Sequence, residues 1–530
     1  MSVDYLITGG IVIDGSHDGS SPVEADVAVQ GDLIAAVGRL SHLTARQTID
    51  ARGLIVCPGF IDTHAHSEFT VLADGRAAGK AAQGMTTEIN GNCGLSAAPL
   101  YGAARERREA ELNELGIRER WSTFSEYFRL LESKGIALNF ATLAGHGNIR
   151  ASVVGYDDRP PDDNEMAAMR GLLRAAMTEG AAGLSTGLIY PPGLYADTPE
   201  IISLACEAAG HNGIYATHMR NEGDELIESL EEVVSIASGS GVRCHVSHLK
   251  TSGKKNWRKI GNALDVIDEA RKRGLSVTCD RYPYTASSTD LDTVLPGWAY
   301  EGGHAQEIAR LKNERTRLRR DVLMGFGGPS DWKKVMVSSV RSKKNKWMEG
   351  RTVVEIAAAQ RKNEIDSVFD LLIEEDLAAG AVFFTMNEDN LAAILRKDYT
   401  AIGSDSAARS FDGVTAAGVP HPRGFGTCPR LLGKYVRDRG VLTLSQAVYR
   451  MTGLPASIFQ IRGRGVIKEG FFADITVFDP VNVQDTADYR SPFQRPEGIH
   501  HVFINGTPVV FHGKGTDALP GRLLRKSVPA

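Results

Sequence analysis

The sequence has little of what marks several large classes of protein. Its 530 residues include six scattered cysteines, which do not form the dense disulfide framework of a small secreted scaffold. It contains no apolar run of about eighteen residues, so no membrane-spanning helix is predicted. The first residues lack a basic segment followed by an apolar core, so no signal peptide is predicted either. These absences favour a cytoplasmic protein with reduced thiols and no membrane partner.

An excess of charge of one sign is also missing. The 60 Lys and Arg residues oppose 65 Asp and Glu residues, which gives a formal net charge of −5. Such a balance supplies no basic surface, so no nucleic-acid partner is predicted. The 42% hydrophobic and 24% charged fractions are those of an ordinary globular protein. We therefore expect a small-molecule substrate, while the composition leaves the oligomeric state undetermined.

Short apolar runs separated by Gly and Asp occur near both chain ends, a pattern typical of strands joined by turns. The first part contains YLITGGIVIDG and ADVAVQGDLIAAVG, and the last part contains GVIKEGFFADITVFDP and HHVFINGTPVVFHG. The two ends are expected to pair. Residues 1–57 and 460–520 are therefore predicted to form one small β-sandwich domain, and the tail beyond residue 520 is predicted to fray.

In the central part, strands alternate with helices. Eight apolar phrases end in polar residues, at positions 60–66, 86–94, 139–147, 181–190, 213–219, 242–248, 275–284 and 399–406. This order predicts an α/β protein in which residues 58–459 form a (β/α)8 barrel, with its active site at the carboxyl ends of the strands. The charged, Gly-broken stretch from about 285 to about 350 is too long for a simple crossover and is predicted to be a lid insertion.

Metal-binding side chains recur at the ends of the predicted barrel strands. His64 and His66 lie two residues apart, and residues i and i+2 of a strand point to the same face. Further strands end in a thiol, two imidazoles and a carboxylate, at Cys93, His218, His248 and Asp405. Together they place the usual zinc donors at one rim of a single barrel. His146 also ends a strand phrase and is assigned a structural or supporting role.

These motifs resemble those of the amidohydrolase superfamily of metal-dependent hydrolases, and more narrowly those of the D-aminoacylases, or N-acyl-D-amino-acid deacylases. The resemblance runs from about residue 54 to about residue 480. It is carried by PGFIDTHAHSE, EINGNCGLSAAP, GLSTGLIYPPG, YATHMRNE, VSHLK, RYPYTAS, GSDS and HPRGFGTCPR. Many two-metal members of the superfamily use a carboxylated lysine on strand four, but the fourth strand here has none. D-aminoacylases use a cysteine of strand two instead, and Cys93 matches that position.

The resemblance implies a zinc enzyme. A tightly held zinc would be bound by Cys93, His218 and His248. A second, weaker metal position would be faced by His64, His66 and Asp405, and the sequence does not say whether it is occupied. Zinc lowers the pKa of bound water toward about 7 and polarises the amide carbonyl. Asp405 would act as the general base toward the water and then as the general acid toward the leaving amine.

The resemblance also implies residues that contact the substrate. Its α-carboxylate would be held by Lys250, two residues beyond His248, and by Arg423 in HPRGFG. Tyr190 and Ser287 match further substrate contacts of the family. The lid begins with SSTDLDTVLPGW, which offers acidic and apolar groups before any arginine. Neutral or hydrophobic D-side chains are therefore predicted.

The predicted reaction is zinc-dependent hydrolysis of the amide bond of N-acyl-D-amino acids, which gives a carboxylate and a free D-amino acid. The D preference follows from the resemblance alone. One alternative is a cyclic-amide hydrolase or a dipeptidase of the same superfamily, although the missing strand-four lysine argues against the lysine-bridged versions. The other is a non-catalytic barrel scaffold, which would be expected to have lost metal ligands, whereas all six are present.

Overall fold

Strands and helices alternate over most of the chain, which the computed structural model describes for residues 2–17, 19 and 21–526. The strands are β1 (Ser2–Val12), β2 (Val23–Gln30), β3 (Leu33–Gly38), β4 (Thr44–Asp50), β5 (Ile55–Pro58), β6 (Phe60–Asp62), β7 (Met85–Asn90), β8 (Asn139–Thr142), β9 (Ala144–Gly145), β10 (Gly183–Gly187), β11 (Ile214–His218), β12 (Arg243–Val246), β13 (Val277–Arg281), β14 (Ser287–Asp290), β15 (Val335–Ser339), β16 (Gly380–Phe383), β17 (Thr400–Ile402), β18 (Ile475–Phe478), β19 (Ile499–Ile504), β20 (Thr507–Phe511) and β21 (Lys514–Gly515).

The helices vary from single turns to seventeen residues. They are α1 (Thr70–Ala73), α2 (Ala78–Ala81), α3 (Gly102–Glu114), α4 (Phe124–Lys134), α5 (His146–Val153), α6 (Asp163–Glu179), α7 (Thr198–Gly210), α8 (Leu226–Ser240), α9 (Ile260–Lys272), α10 (His304–Asn313), α11 (Arg315–Gly325), α12 (Pro329–Trp332), α13 (Val353–Gln360), α14 (Glu364–Glu374), α15 (Glu388–Leu395), α16 (Arg423–Arg430), α17 (Leu444–Met451) and α18 (Gly453–Ile458). None of the described helices is long and apolar enough to cross a membrane.

Both chain ends contribute to one hydrogen-bonded sheet of nine strands. Its order is β21-β20-β19-β18-β5-β1-β2-β3, with β4 paired to β1. The two ends meet at β5, which runs parallel to β1 and antiparallel to β18, so that Val56 opposes Val477. Neighbouring side chains of β1 point to opposite faces, and Ile7 and Leu6 accordingly join separate apolar clusters. Both faces of this sheet are therefore covered at β1.

The central strands are parallel and lie in two sheets, ordered β6-β7-β8 and β17-β13-β12-β11-β10-β9. Strand β7 is buried at every position, as expected for parallel strands that are covered on both faces. The two sheets approach each other at both margins. Beyond β6 and β17, Ala65 forms a parallel bridge with Ser406, and only Leu143 separates β8 from β9. All carboxyl ends of these strands therefore point the same way.

Helices α6 to α9 connect consecutive strands of the larger central sheet, and their ends follow local sequence signals. In α6, a capping box joins Asp162 and Glu165 at the start, and Gly180 ends the helix in the left-handed conformation. The face between these ends buries Met169 and Leu173. Packing of this apolar face stabilises the helix against the strands.

A second folded layer is inserted between β13 and β17. Its three strands pair antiparallel in the order β14-β16-β15. Helices α10 to α14 pack with them around a separate apolar core that includes Trp332 and Phe369. Because β16 ends at Phe383, the insertion continues beyond the predicted boundary of about residue 350. It also has a core of its own, so it is a folded unit and not a loop.

The tail beyond residue 520 is paired with β8 and with the end of α6, so the prediction that it frays is wrong for residues 521–526. The Phe140 amide donates to the Arg522 carbonyl over 2.9 Å, and the Leu524 amide donates to the Phe140 carbonyl over 2.8 Å. The Lys526 amide donates to the Gly180 carbonyl over 3.0 Å. These bonds satisfy backbone groups of β8 that would otherwise need other partners. Residues 527–530 lie outside the described part of the chain.

Candidate metal centre

Polar side chains meet where the central strands end. His64 and His66 follow β6, Cys93 follows β7 and His218 is the last residue of β11. His248 lies two residues beyond β12, and Asp405 lies three beyond β17. The structure therefore brings the six predicted metal ligands to one rim. Among the described residues, donor atoms within 4.8 Å of one another form three groups, which are His64–Cys93–His248, His64–His66–Asp405 and His218–Glu222–His248.

The Cys93 sulfur is at the centre of this arrangement. Its Sγ lies 3.3 Å from His64 Nε2, 3.5 Å from His248 Nε2 and 3.8 Å from His218 Nδ1. Burial raises the pKa of this thiol well above its usual value, so the thiolate needs a cation to stabilise it. Burial also lowers the pKa of His218, and it lowers that of His248 to about 4. Both imidazoles are therefore neutral and able to act as ligands.

These separations fit zinc. A tetrahedral zinc with bonds of about 2.0–2.3 Å to nitrogen and sulfur places its donor atoms roughly 3.6 Å apart. The three distances from the Cys93 sulfur bracket that value. Thiolate, imidazole and carboxylate are also the donors that zinc prefers. Both the chemistry of the donor set and its spacing therefore match a zinc site.

Asp405 joins the rim to a buried cation. Its Oδ1 lies 3.3 Å from His66 Nε2 and 3.6 Å from His64 Nε2, while its Oδ2 pairs with Arg423 Nη1 at 2.8 Å. Burial alone would raise the pKa of this carboxyl, but Arg423, His248 and the hydrogen bond to His66 outweigh it and hold the pKa well below the usual range. Asp405 is therefore ionised and able to accept a proton.

Three of the rim residues have left-handed backbone conformations. The φ angles are +54° at Cys93, +37° at His248 and +52° at Asp405. Side chains with a Cβ rarely adopt such angles, which cost of order 1–3 kcal/mol each and tend to occur at functional sites. Each of these residues follows a parallel strand. The left-handed turn directs its side chain inward, toward the shared rim.

The structure adds Glu222, which the sequence analysis did not identify. Its Oε1 lies 2.5 Å from Lys250 Nζ and 3.0 Å from His248 Nδ1, and its Oε2 lies 3.6 Å from His218 Nε2. Although burial opposes ionisation, Lys250, His218 and His248 lower the pKa of Glu222. The carboxylate thus faces the outer nitrogens of both imidazoles. The i, i+4 spacing from His218 in HMRNE is a signal that could have identified it.

Asp280, near the end of β13, is a second residue that the sequence analysis missed. Its Oδ1 accepts the His248 amide at 2.6 Å, and its Oδ2 lies 2.9 Å from His245 Nε2 and 3.5 Å from His64 Nδ1. Carboxylates in this position fix the orientation and tautomer of metal-binding histidines. Asp280 therefore supports His64 and His248 from behind the rim. Its position at a strand end, in DRYPY, was the available signal.

The predicted substrate contacts line a cleft of about 1130 Å³ that reaches His66, Cys93 and Asp405. Its wall includes Tyr190, Lys250, Ser287 and Arg423. Tyr190 is held by a 3.0 Å hydrogen bond between its hydroxyl and that of Thr289 in β14. Arg423 donates to the Ser288 carbonyl at 3.1 Å. The insertion thus forms one wall of the cleft and contacts residues from the strand ends.

His146 lies apart from the group of metal donors. Its Nε2 is 2.7 Å from Glu200 Oε1, and Arg150 pairs with the same oxygen at 3.2 Å. All three side chains are buried. This arrangement agrees with the structural role expected for His146.

The chain is similar to known proteins over nearly its whole length. The amidohydrolase family matches residues 47–510 of the chain. The chain is 38% identical over 524 residues to the D-aminoacylase of Alcaligenes xylosoxydans xylosoxydans, covering 99% of this chain and 98% of that protein. It is 35% identical over 525 residues to the N-acyl-D-aspartate deacylase of the same organism, covering 98% and 95%.

One solved structure matches the chain over a similar share of its length. The N-acyl-D-glutamate deacylase from Bordetella bronchiseptica, complexed with zinc and a phosphonate inhibitor that mimics the tetrahedral intermediate, is 34% identical to this chain. It superposes with a TM-score of 0.84, covering 99% of this chain and 100% of that chain. The similarity therefore extends over both chains almost from end to end.

Proposed function

This chain belongs to the amidohydrolase family, and from that membership we propose that it hydrolyses N-acyl-D-amino acids to a carboxylate and a free D-amino acid. Its relatives over nearly the whole length are a D-aminoacylase and N-acyl-D-amino-acid deacylases. The observation that carries the proposal is the Cys93 sulfur, which lies within 3.8 Å of three imidazoles at the strand ends. The enzyme is a zinc-dependent amidohydrolase.

The scaffold that we propose is a closed (β/α)8 barrel over residues 58–459. The Ala65–Ser406 bridge and the short gap between β8 and β9 support closure, because they join the two central sheets at both margins. A small β-sandwich domain from residues 1–57 and 460–520 would pack beside it. The insertion between β13 and β17 would form the lid over the cleft.

We assign the tightly held zinc to Cys93, His218 and His248. Their donor distances support this assignment, as does Glu222, whose carboxylate faces the outer nitrogens of the two histidines. A second, weaker metal position is assigned to His64, His66 and Asp405, which form a separate donor group. His64 also lies 3.3 Å from the Cys93 sulfur, so the two positions share a boundary.

Zinc, when bound, supplies Lewis acidity toward the amide carbonyl and lowers the pKa of water. Asp405 Oδ1 then accepts the proton from the attacking water, as its ionised state and its place beside His66 support. The same oxygen passes the proton to the leaving nitrogen, because an amine is a poor leaving group until it is protonated. Arg423 keeps Asp405 Oδ2 occupied, so Oδ1 is left for proton transfer.

Lys250 and Arg423 are proposed to hold the α-carboxylate of the substrate. Both cations are paired with site carboxylates, Lys250 with Glu222 and Arg423 with Asp405. Each cation retains further N–H donors, and the planar fork of Arg423 can bind two acceptors at once. Tyr190 and Ser287 would complete the substrate contacts from the cleft wall.

The side chain that we propose is neutral or hydrophobic. Asp290 of the insertion lines the cleft and would repel an acidic side chain. Arg108 and Arg341 also line it, but each forms an ion pair with a glutamate of α3. Arg107 interacts electrostatically with Asp290 and its neighbours. The cations of the cleft wall are therefore opposed by acidic groups of the protein itself.

The test is a substrate panel on the purified protein together with its zinc content. We expect bound zinc, and hydrolysis of N-acetyl-D-Met, -Leu and -Phe well above that of their L-enantiomers. The N-acetyl-D-Asp and -D-Glu substrates should be poorer. Hydrolysis of a cyclic amide or a dipeptide in preference to the D-panel would overturn the proposed reaction. Faster turnover of N-acetyl-D-Glu than of N-acetyl-D-Leu would overturn only the proposed side chain.

A further inference from the structure

One fully buried ammonium has no part in the chemistry described so far. Lys80 lies in α2, and its side chain is completely inaccessible to solvent. Burial alone would lower its pKa, but the carboxylates of Asp62 and Glu88 outweigh that effect and raise it. An isolated ammonium is very costly to bury, so it needs paired charges and hydrogen bonds. The identity of its partners therefore shows what it stabilises.

The Lys80 ammonium touches two strand ends at once. Its Nζ lies 2.5 Å from Asp62 Oδ2, at the end of β6, and 3.0 Å from Glu88 Oε1 in β7. It also donates to Ser404 Oγ at 2.7 Å and to the Ser406 carbonyl at 3.0 Å. The two serines are the immediate neighbours of Asp405. The ammonium therefore contacts the chain on both sides of the proposed proton carrier.

Asp62 extends the same contacts to the metal ligands. Its Oδ1 accepts the Ser404 amide at 2.7 Å and the His64 amide at 3.2 Å. The Asp405 amide in turn donates to the His64 carbonyl at 2.8 Å. Lys80 and Asp62 thus bind the segment before His64 to the segment around Asp405. These two segments are where β6 and β17 meet.

This place in the fold needs such a clamp. Asp405 has a φ of +52°, a conformation that the surrounding structure must impose. Packing there is close, since a Cβ on Gly403 would lie 2.6 Å from the His64 Cβ. The β6–β17 contact is a parallel bridge at Ala65 and Ser406, outside the named strands. Side-chain contacts therefore supplement a short backbone pairing.

We propose that Lys80 is a positioning residue that clamps the ends of β6 and β17 together and thereby sets the distance from His64 to Asp405. The clamp acts through Asp62, Ser404 and the Ser406 carbonyl, and it touches neither metal nor substrate. This inference rests on the proposed role of Asp405. It adds that the second metal position and proton transfer depend on an ammonium buried behind the rim.

The test compares Lys80→Met with a matched control at the other end of the strands. Arg464 forms a buried ion pair with Asp474 and donates to Asn505 at 2.7 Å. Asp474 also accepts from Asn139 at the start of β8. The Arg464→Met variant therefore breaks an ion pair of similar burial, away from the rim. Both full-length proteins are purified with zinc, and their thermal unfolding is measured first.

We expect both variants to unfold at lower temperature, whereas only Lys80→Met changes the site. For it, kcat should fall by about 10–100-fold with little change in KM, the usual cost of losing a group that orients metal ligands. After dialysis against graded free zinc, Lys80→Met should retain the tightly held zinc and lose affinity at the second position. The inference is overturned if Lys80→Met matches Arg464→Met in kcat and in both zinc affinities.

A milder variant keeps the inference testable if Lys80→Met does not fold. Ser404→Ala removes one oxygen from the clamp and leaves the ion pair with Asp62. It should weaken the second zinc position and lower kcat to a smaller extent than Lys80→Met. Unchanged zinc binding and kcat in Ser404→Ala would contradict the clamp. The zinc titration needs no substrate, so the clamp and the proposed hydrolysis can fail separately.

Discussion

Buried polar groups at the carboxyl ends of the central strands differ from those at the amino ends in backbone conformation and in hydrogen bonding. At the carboxyl ends, Cys93, His248 and Asp405 have left-handed backbones. Among the described residues, His64 Nδ1 and His218 Nε2 there have only long carboxylate contacts, with Asp280 Oδ2 at 3.5 Å and Glu222 Oε2 at 3.6 Å. At the amino ends, a buried network joins Arg464, Asp474, Asn139 and Asn505 by hydrogen bonds of 2.7 to 3.0 Å beside one ion pair.

This difference shows where the molecule maintains unfavourable conformations and where it does not. Strained backbone conformations lower stability, and they persist where a bound ligand or the reaction needs them. The amino-end network satisfies its own polar atoms and ties the terminal sheet to β8. Stability and function are therefore separated along the same strands, as they are in (β/α)8 barrels, where the carboxyl ends hold the active site.

The largest expected effect comes from removing the thiol at the carboxyl end. Cys93→Ala should abolish hydrolysis and lower bound zinc, because it removes the thiolate donor that lies within 3.8 Å of three imidazoles. Zinc analysis and kcat/KM on an N-acetyl-D-amino acid measure both effects. Cys244→Ala is the matched control, since Cys244 is a buried thiol near the amino end of β12. If Cys93→Ala binds zinc and turns over normally, the carboxyl ends of the strands do not depend on this thiol for metal binding or catalysis.

A smaller but still large effect is expected at Asp405. Asp405→Asn should keep the fold and substrate binding but lower kcat by about 10²–10⁴-fold, the usual worth of general acid–base catalysis. Steady-state kinetics and thermal unfolding separate the two properties. Asp412→Asn, on the same loop and exposed, should behave as wild type. Turnover of Asp405→Asn within tenfold of wild type would reduce the carboxylate to a capping role at the strand end.

The carboxylate contact should give an intermediate effect. Arg423→Lys should lower kcat/KM by roughly ten- to hundredfold, because losing a charge-assisted hydrogen bond costs about 1.5–3 kcal/mol. The substrate supplies the control, since an N-acyl-D-amino acid amide has no carboxylate. Wild type should prefer the acid strongly, and the variant should prefer it much less. An undiminished preference for the acid would leave Lys250 as the carboxylate partner.

The smallest effect on catalysis is expected at the amino ends. Arg464→Met should lower the free energy of unfolding by about 3–5 kcal/mol, because it leaves Asp474 buried without its cation. The kcat and KM values should stay near those of wild type. Denaturant unfolding and steady-state kinetics on the same preparation test both statements. A fall in kcat comparable to that at the carboxyl ends would show that the two ends are coupled.

The sequence predicted the features that depend on one strand alone, namely where each central strand lies and which residues end it. Apolar phrases with polar ends located all nine central strands, with the phrase at 139–147 covering both β8 and β9. They also predicted that His64, His66 and Cys93 lie at strand ends, where the structure places them. Lys80 was missed because its partners come from other strands, and spacing along the chain does not show that contact. Glu222 and Asp280 had local signals, but their contacts with His248 come from another strand. The insertion boundary was set too early, because α14 has an apolar face like those of the helices beside the central sheet.

Pairing of the two chain ends has a consequence for the order of events during synthesis. The Cys57 thiol contacts the Thr476 carbonyl, 419 residues later, and the Arg522 amide donates to Asn139 Oδ1, 383 residues earlier. Contacts of such separation close slowly, and they cannot form before the ribosome has made both partners. The edge of β5 that pairs with β18 therefore stays unpaired until the last tenth of the chain has been synthesised.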